Sequence, residues 1–205
     1  MNCLWLETCL GSFYAAVSIG AGENITSVQS EFDSNPRNAN KRISTSVNHL
    51  LNSSDLSSES IDQVYLSKGP GSFTGIKLAA AFALGFSYSH PRRVPVMGFD
   101  ALSCLSKMLS TNIVLKSTSK TGFYSDGVTT KNILGSQVTS LGEVQFWNEW
   151  VGHSDQSHAQ ITPQETKKST YDQLVHFVHK HTALSENFQK ANYLKEPEIH
   201  SKGTQ

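Results

Sequence analysis

The sequence has no excess of charge of either sign: 17 Lys and Arg stand against 17 Asp and Glu among 205 residues. Nucleic-acid binding draws most of its affinity from neutralising phosphates, so so balanced a chain is a poor candidate for gripping RNA alone. Cysteine is scarce as well. Cys3, Cys9 and Cys104 make an odd count with no CxxC spacing, which argues against a disulfide framework or a cysteine zinc site. Reduced, packed thiols in a cytoplasmic protein are expected instead. No stretch approaches the ~20 apolar residues of a membrane span. The opening MNCLWLETCLG has no basic segment ahead of an apolar run, so no signal peptide is expected. Asn24-Ile25-Thr26 fits a glycosylation acceptor, which without a secretory route is read as chance. No internal repeat and no low-complexity segment stands out.

Hydrophobic residues make up 38% of the chain, and the deficit against an average globular protein falls after Ser110, where Ser, Thr, Asn, Gln and His prevail. This predicts a well-packed N-terminal lobe over residues 1–109 and a smaller, more polar one over 110–205. In the first lobe Leu4–Leu6, Phe13–Ile19 and Ile25–Phe32 read as a three-stranded meander broken at Gly11-Ser12 and at Gly20 and Gly22. Ile43, Val47, Leu50 and Leu51 recur at helical spacing, so a helix of about three turns begins near Asn40. A strand over Ile61–Ser67, a helix over Ile76–Tyr88, a strand over Val94–Gly98 and a helix over Asp100–Leu109 follow. That alternation argues an α/β fold built on a sheet. In the second lobe Asn112–Leu115 and Gly122–Val128 read as a hairpin, Val144–Val151 as a strand, Tyr171–His181 as a helix and Tyr193–Gln205 as irregular.

Between a strand and a helix lies Gly69-Pro70-Gly71-Ser72-Phe73-Thr74-Gly75, where α/β proteins place anion-binding backbone. The spacing matches neither standard cradle. Gly71 to Gly75 encloses three residues where a Walker A loop needs four, Ile76 intervenes before Lys77, and a G-x-G-x-x-G fingerprint would be one residue shorter. A ligand role and a tight turn packing a strand against a helix both remain open. In that helix Ala79, Ala80, Ala81, Ala83 and Gly85 leave few large side chains, so it packs closely against the rest of the fold or against another subunit.

Candidate catalytic groups are few. His49 stands alone. His176 and His179 are three apart and would share a helix face able to chelate a metal, but VHFVHKH fits a solvated amphipathic helix better. His153, Asp155 and His158 have no metal or triad spacing. Neither a Ser/His/Asp set nor an HExxH helix can be assembled, so no peptidase is expected. The sequence calls for no catalytic residue, no metal and no cofactor.

The block DQVYLSKGPGSFTGIK (62–77), followed by AFALG (81–85) and VPVMGFDAL (94–102), resembles the TsaB (YeaZ) family. Weaker matches are Leu6-Glu7-Thr8 with AAVS (15–18), and ANYLKEP (191–197), similar to a C-terminal family signature; their order extends the resemblance along nearly the whole chain. It implies an actin-like (ASKHA, ribonuclease H-like) fold of two related lobes, the second reduced. It also implies a non-catalytic scaffold for the transferase TsaD in threonylcarbamoyl modification of tRNA, with the ATPase TsaE in the same complex, tRNA contacted only indirectly, and a homodimer as an alternative state. A nucleotide-binding enzyme of the actin-like superfamily is the alternative function. The partner surface implied combines Asn40, Ser44, Val47, Asn48 and Leu51 on the first helix with Lys77, Ala80, Ala81 and Leu84 on the Ala-rich one. Glu7-Thr8-Cys9 departs from the family's Asp-Thr-Ser, Ala39-Asn40-Lys41 from its His-Ser-Glu, and KSTSKTGFY (116–124) from its Asp-Ala-Arg strand.

Overall fold

Three strands open the chain: β1 (Asn2–Glu7), β2 (Phe13–Ala21) and β3 (Asn24–Asp33). They are seen in a computed structural model that describes residues 1–148 and 160–188. Then come α1 (Ala39–Ser53), β4 (Gln63–Ser67), α2 (Phe73–Ser89), β5 (Val96–Phe99) and α3 (Ala101–Leu109). A second run supplies β6 (Ile113–Lys116), β7 (Thr121–Ser125), β8 (Thr130–Leu134), β9 (Gln145–Phe146), β10 (Gln160–Ile161) and α4 (Gln164–Lys180). A short β11 (Ser185–Asn187) ends the described elements.

The strands form two sheets, ordered β3-β2-β1-β4-β5-β11 and β8-β7-β6-β9-β10. In the first, β1 is antiparallel to β2 and β2 to β3, while β1–β4 and β4–β5 are parallel. In the second, β6–β7 and β7–β8 are antiparallel, while β6–β9 and β9–β10 are parallel. The topology is thus repeated although no repeat is visible in the sequence. Strand pairing depends on which positions are apolar at period two, and unrelated residues can supply that pattern.

Alternation splits the first sheet between two cores. Leu4, Leu6, Phe13, Ala15 and Val17 pack against Ile43, Val47, Leu50 and Leu51 of α1 and Ala79 and Ala83 of α2. Trp5, Tyr14, Ala16 and Tyr65 face the other way, into a cluster with Leu102 and Leu105 of α3, Tyr171, Leu174 and Val178 of α4, and Ile113, Leu115, Phe123 and Trp147 of the second half. Trp5 stacks on Tyr65 with ring centroids 4.0 Å apart. The last helix of each half lies against the other half's sheet: α4 against β2 and β3, α3 against β6 and β7.

Element limits differ from expectation for local reasons. Helix α2 begins at Phe73, before Ile76, because Ser72 Oγ accepts the Gly75 N–H at 3.2 Å and caps it. Strand β8 escaped the sequence reading because only Ile133 of its five residues points inward. Helix α4 starts at Gln164, not Tyr171, since its first turns are mostly polar and exposed. The strand expected over Val144–Val151 is confined to Gln145–Phe146 as far as residue 148. Its remainder, His153, Asp155, His158, the ANYLKEP segment and the tail Tyr193–Gln205 lie outside the described residues.

Candidate functional site

The turn between β1 and β2 meets the glycine-rich loop at the ends of the parallel strands. Glu7 closes β1 and is only 2% exposed. Its Oε1 accepts the N–H groups of Cys9 at 2.6 Å and Leu10 at 3.0 Å, and its Oε2 accepts the Tyr171 hydroxyl of α4 at 2.9 Å. Ser12 Oγ completes the cluster, 2.9 Å from the same hydroxyl. Burial pushes the Glu7 carboxyl above its ordinary range, opposed by these hydrogen bonds. Burial and the facing carboxylate push the Tyr171 hydroxyl well up, so Tyr171 keeps its proton and donates.

The glycines of the loop are explained by close backbone approach. A Cβ on Gly71 would lie 2.1 Å from the Cys9 carbonyl oxygen, and one on Gly75 1.9 Å from that of Thr8. Ser72 N–H donates to Cys9 O at 2.8 Å, Thr8 Oγ1 to Gly75 O at 2.7 Å, and Cys9 Sγ lies 2.9 Å from Ser67 Oγ. The loop, which includes a cis Gly69–Pro70 peptide and Ser72, Phe73 and Thr74, is thereby zipped to the first turn.

The equivalent turn of the second sheet, between β6 and β7, repeats the device. Thr118 Oγ1 accepts the N–H groups of Lys120 at 3.2 Å and Thr121 at 3.0 Å. In both halves a side chain at position i holds the amides of i+2 and i+3. Sequence reasoning noted Glu7 and KSTSK only as departures from a family pattern. The missed signal was a side-chain acceptor placed two and three residues before the turn amides.

The residues expected at a partner surface fall into two groups. Lys77, Ala81 and Leu84 lie on the outer face of α2, where Phe73 (45% exposed), Leu84 (38%) and Tyr88 (70%) are three of the six exposed large apolar side chains among the described residues. Lys77 Nζ sits 4.0 Å from the centre of the Phe73 ring. Ala80 is half-buried. Ala83 faces the first sheet and is fully buried, so it belongs to the core. On α1, Asn40, Ser44 and Asn48 are exposed while Val47 and Leu51 are core residues. Ser44, Val47, Asn48 and Leu51 also line a groove of about 380 Å³ between α1 and α2, together with Phe82 and Phe86.

A model of the family described as tRNA N6-adenosine threonylcarbamoyltransferase, TsaD, matches residues 34–194. The chain belongs to this family. Among solved structures, YeaZ from Pseudomonas aeruginosa is 16% identical, with a TM-score of 0.56 over 71% of this chain and 74% of that one. A crystal structure of an uncharacterised Pseudomonas aeruginosa protein with similarity to peptidase YEAZ gives 0.55 at the same identity and coverage. At that identity the likeness is one of fold, the actin-like α/β fold that the two matching sheets display. No curated protein matches the chain. Membership of the TsaD family supports a role in threonylcarbamoyl modification of tRNA, and the chain is YeaZ-like in fold, as the GPGSFTG block implies.

His176 and His179 do not share an environment. His176 is exposed, whereas His179 is fully buried, its Nε2 3.2 Å from Ser18 Oγ and its ring beside Trp5. The helix is therefore solvated on one face only, because Leu174, Val175 and Val178 carry that side of it into the central core. Among the described residues no three His, Cys, Asp or Glu side chains converge as a metal-ligand set, and no helix is long and apolar enough to cross a membrane.

Proposed function

We propose that this chain is a non-catalytic, cytoplasmic partner that docks on TsaD, acting with the ATPase TsaE in forming threonylcarbamoyladenosine beside the tRNA anticodon. The observation that carries this reading is the outer face of α2. Phe73, Leu84 and Tyr88 are presented on one helix with Ala81 and Gly85 between them, and a Cβ on Gly85 would meet nothing within 4 Å. Apolar side chains flanking small residues suit close approach by a partner helix, and α1 beside it widens the face. The self-capped turns support a non-catalytic role. Cys9, Leu10, Lys120 and Thr121 commit their N–H groups to Glu7 and Thr118, which leaves them unavailable to an anionic substrate. The neutral charge balance fits contact with tRNA through the partner rather than directly. In the absence of TsaD the same apolar face would support a homodimer. We also assign the lobes to residues 1–109 and 110–205, with β11 of the second stretch returning to the edge of the first sheet.

The test is light scattering after size-exclusion chromatography of the chain mixed with TsaD of the same organism. A one-to-one complex at micromolar concentration, lost on Leu84→Asp, is the expected result. Two folded proteins that elute apart would sink the reading. Measurable peptidase or nucleotidase turnover, abolished by one substitution, would overturn the non-catalytic part.

A further inference from the structure

The exposed side of α2 is a single apolar stripe with a cation at each end. At about 100° per residue, Phe73, Lys77, Ala81, Leu84 and Tyr88 fall within about 80° of one another around the helix. All five are exposed. From Phe73 to Tyr88 the stripe runs about 22 Å, at about 1.5 Å per residue. At its start Lys77 Nζ lies over the Phe73 ring, and at its end the Arg93 guanidinium lies over the Tyr88 ring, 5.6 Å from the centre. Neither cation pairs with a carboxylate among the described residues. Neither α1 nor α2 contains an Asp or Glu, although the whole chain carries 17. Glu59 lines the neighbouring groove and pairs with neither Lys77 nor Arg93.

We infer that the partner of this face presents a carboxylate at each end of an apolar helix surface. One meets Lys77 and the other Arg93, and the pair selects that partner over a second copy of this chain. The apolar middle of the stripe, Ala81 and Leu84, suits a protein surface better than a phosphate backbone. Charges brought together across a docked helix lie within a Debye length, so their sign counts at physiological salt. An interface between two copies related by a two-fold axis puts the stripe on itself. With antiparallel helices the Lys77 end of one copy meets the Arg93 end of the other; with parallel helices each cation meets its own equivalent. Both arrangements oppose like charges, which disfavours the wrong partner at no cost toward the right one. The two rings hold the cations over the stripe before contact, where an incoming carboxylate needs them. The assignment rests on docking through α2 and adds the charge that chooses the partner.

Charge reversal separates the two partners. A chain carrying both Lys77→Glu and Arg93→Glu should bind TsaD of the same organism about tenfold or more weakly in titration calorimetry at low salt. The neutral chain with Lys77→Gln and Arg93→Gln should fall between, with a shallower salt dependence than wild type. In sedimentation, the reversed chain mixed with wild type should pair more tightly than wild type pairs with itself. Melting curves check that each variant folds. Wild-type affinity for TsaD in the reversed chain would overturn the inference, as would wild type that prefers itself to the reversed chain. So would equal losses in the neutral and reversed chains, because the two side chains would then act by shape alone. Binding of tRNA by the chain alone, abolished by the reversal, would also overturn it, since phosphate would then be the ligand. Leu84→Asp reports on the docking reading separately: if it weakens TsaD binding while the reversal does not, the inference fails and the reading stands. If wild-type protein does not bind, both fail.

Discussion

The two sheets share an order over five strands, β11 of the first having no counterpart in the second, and they differ in what surrounds them. The first is flanked outside by α1 and α2, carries the glycine-rich loop, and seals its hairpin turn with a buried carboxylate bonded to three donors. The second carries short 3-10 turns over Gly135–Ser140 where the first has α1, and closes its turn with the Thr118 hydroxyl, whose bonds are exposed to water. The same topological position is thus buried in one half and exposed to water in the other. A fold family keeps a turn's geometry by whichever acceptor fits its surroundings. Burial decides how much that acceptor is worth: a buried donor stranded without a partner loses its water as well.

Truncating the two acceptors tests that contrast most sharply. Glu7→Ala leaves the Cys9 and Leu10 N–H groups and the Tyr171 hydroxyl unsatisfied, so a loss of about 3 kcal/mol or more is expected in denaturant melts. Thr118→Ala should cost only about 0.5–1.5 kcal/mol. Equal losses would break the comparison. On α2, Ala83→Leu overpacks the core beside the first sheet and should cost about 1–3 kcal/mol, whereas Ala81→Leu, on the exposed face, should stay within about 0.5 kcal/mol and act on complex formation.

Acid–base linkage sharpens the reading of Glu7. Its folded carboxyl is raised above the ordinary 4.5, so the folded chain binds more protons than the unfolded one in the window above that value. Stability contributed by this group is therefore lost as pH rises through the window. Glu7→Gln removes the titration, and its melting temperature relative to wild type should climb with pH from about 4.5 upward. A constant difference would show that burial does not perturb the carboxyl. The smallest effects are expected at exposed apolar residues of the second half. Val128→Thr and Leu134→Thr should alter neither stability, beyond about 0.5 kcal/mol, nor TsaD binding, in contrast to Leu84→Asp.

The α/β alternation, the opening meander and the β6–β7 hairpin were legible because apolar residues there alternate at period two or recur at helical spacing. Strand β8 and the first half of α4 were not, since each offers few inward residues. Of the partner surface, the small residues of α2 drew attention, but composition could not tell Ala81, facing out, from Ala83, facing the sheet. Phe73 read as part of a loop until Ser72 was seen to cap the helix one residue earlier. The Glu7–Tyr171 bond joins residues 164 positions apart and was invisible to any local pattern.

The exchange of α3 and α4 between the sheets has a consequence for synthesis. The face of the first sheet bearing Trp5, Tyr14 and Tyr65 is completed by α4, which leaves the ribosome some seventy residues after α3, a wait on the order of ten seconds. During that interval the three aromatic side chains have only the residues up to α3, such as Phe99, Leu102 and Leu105, to pack against. Until α4 docks, that side of the first sheet is open to non-native apolar contacts.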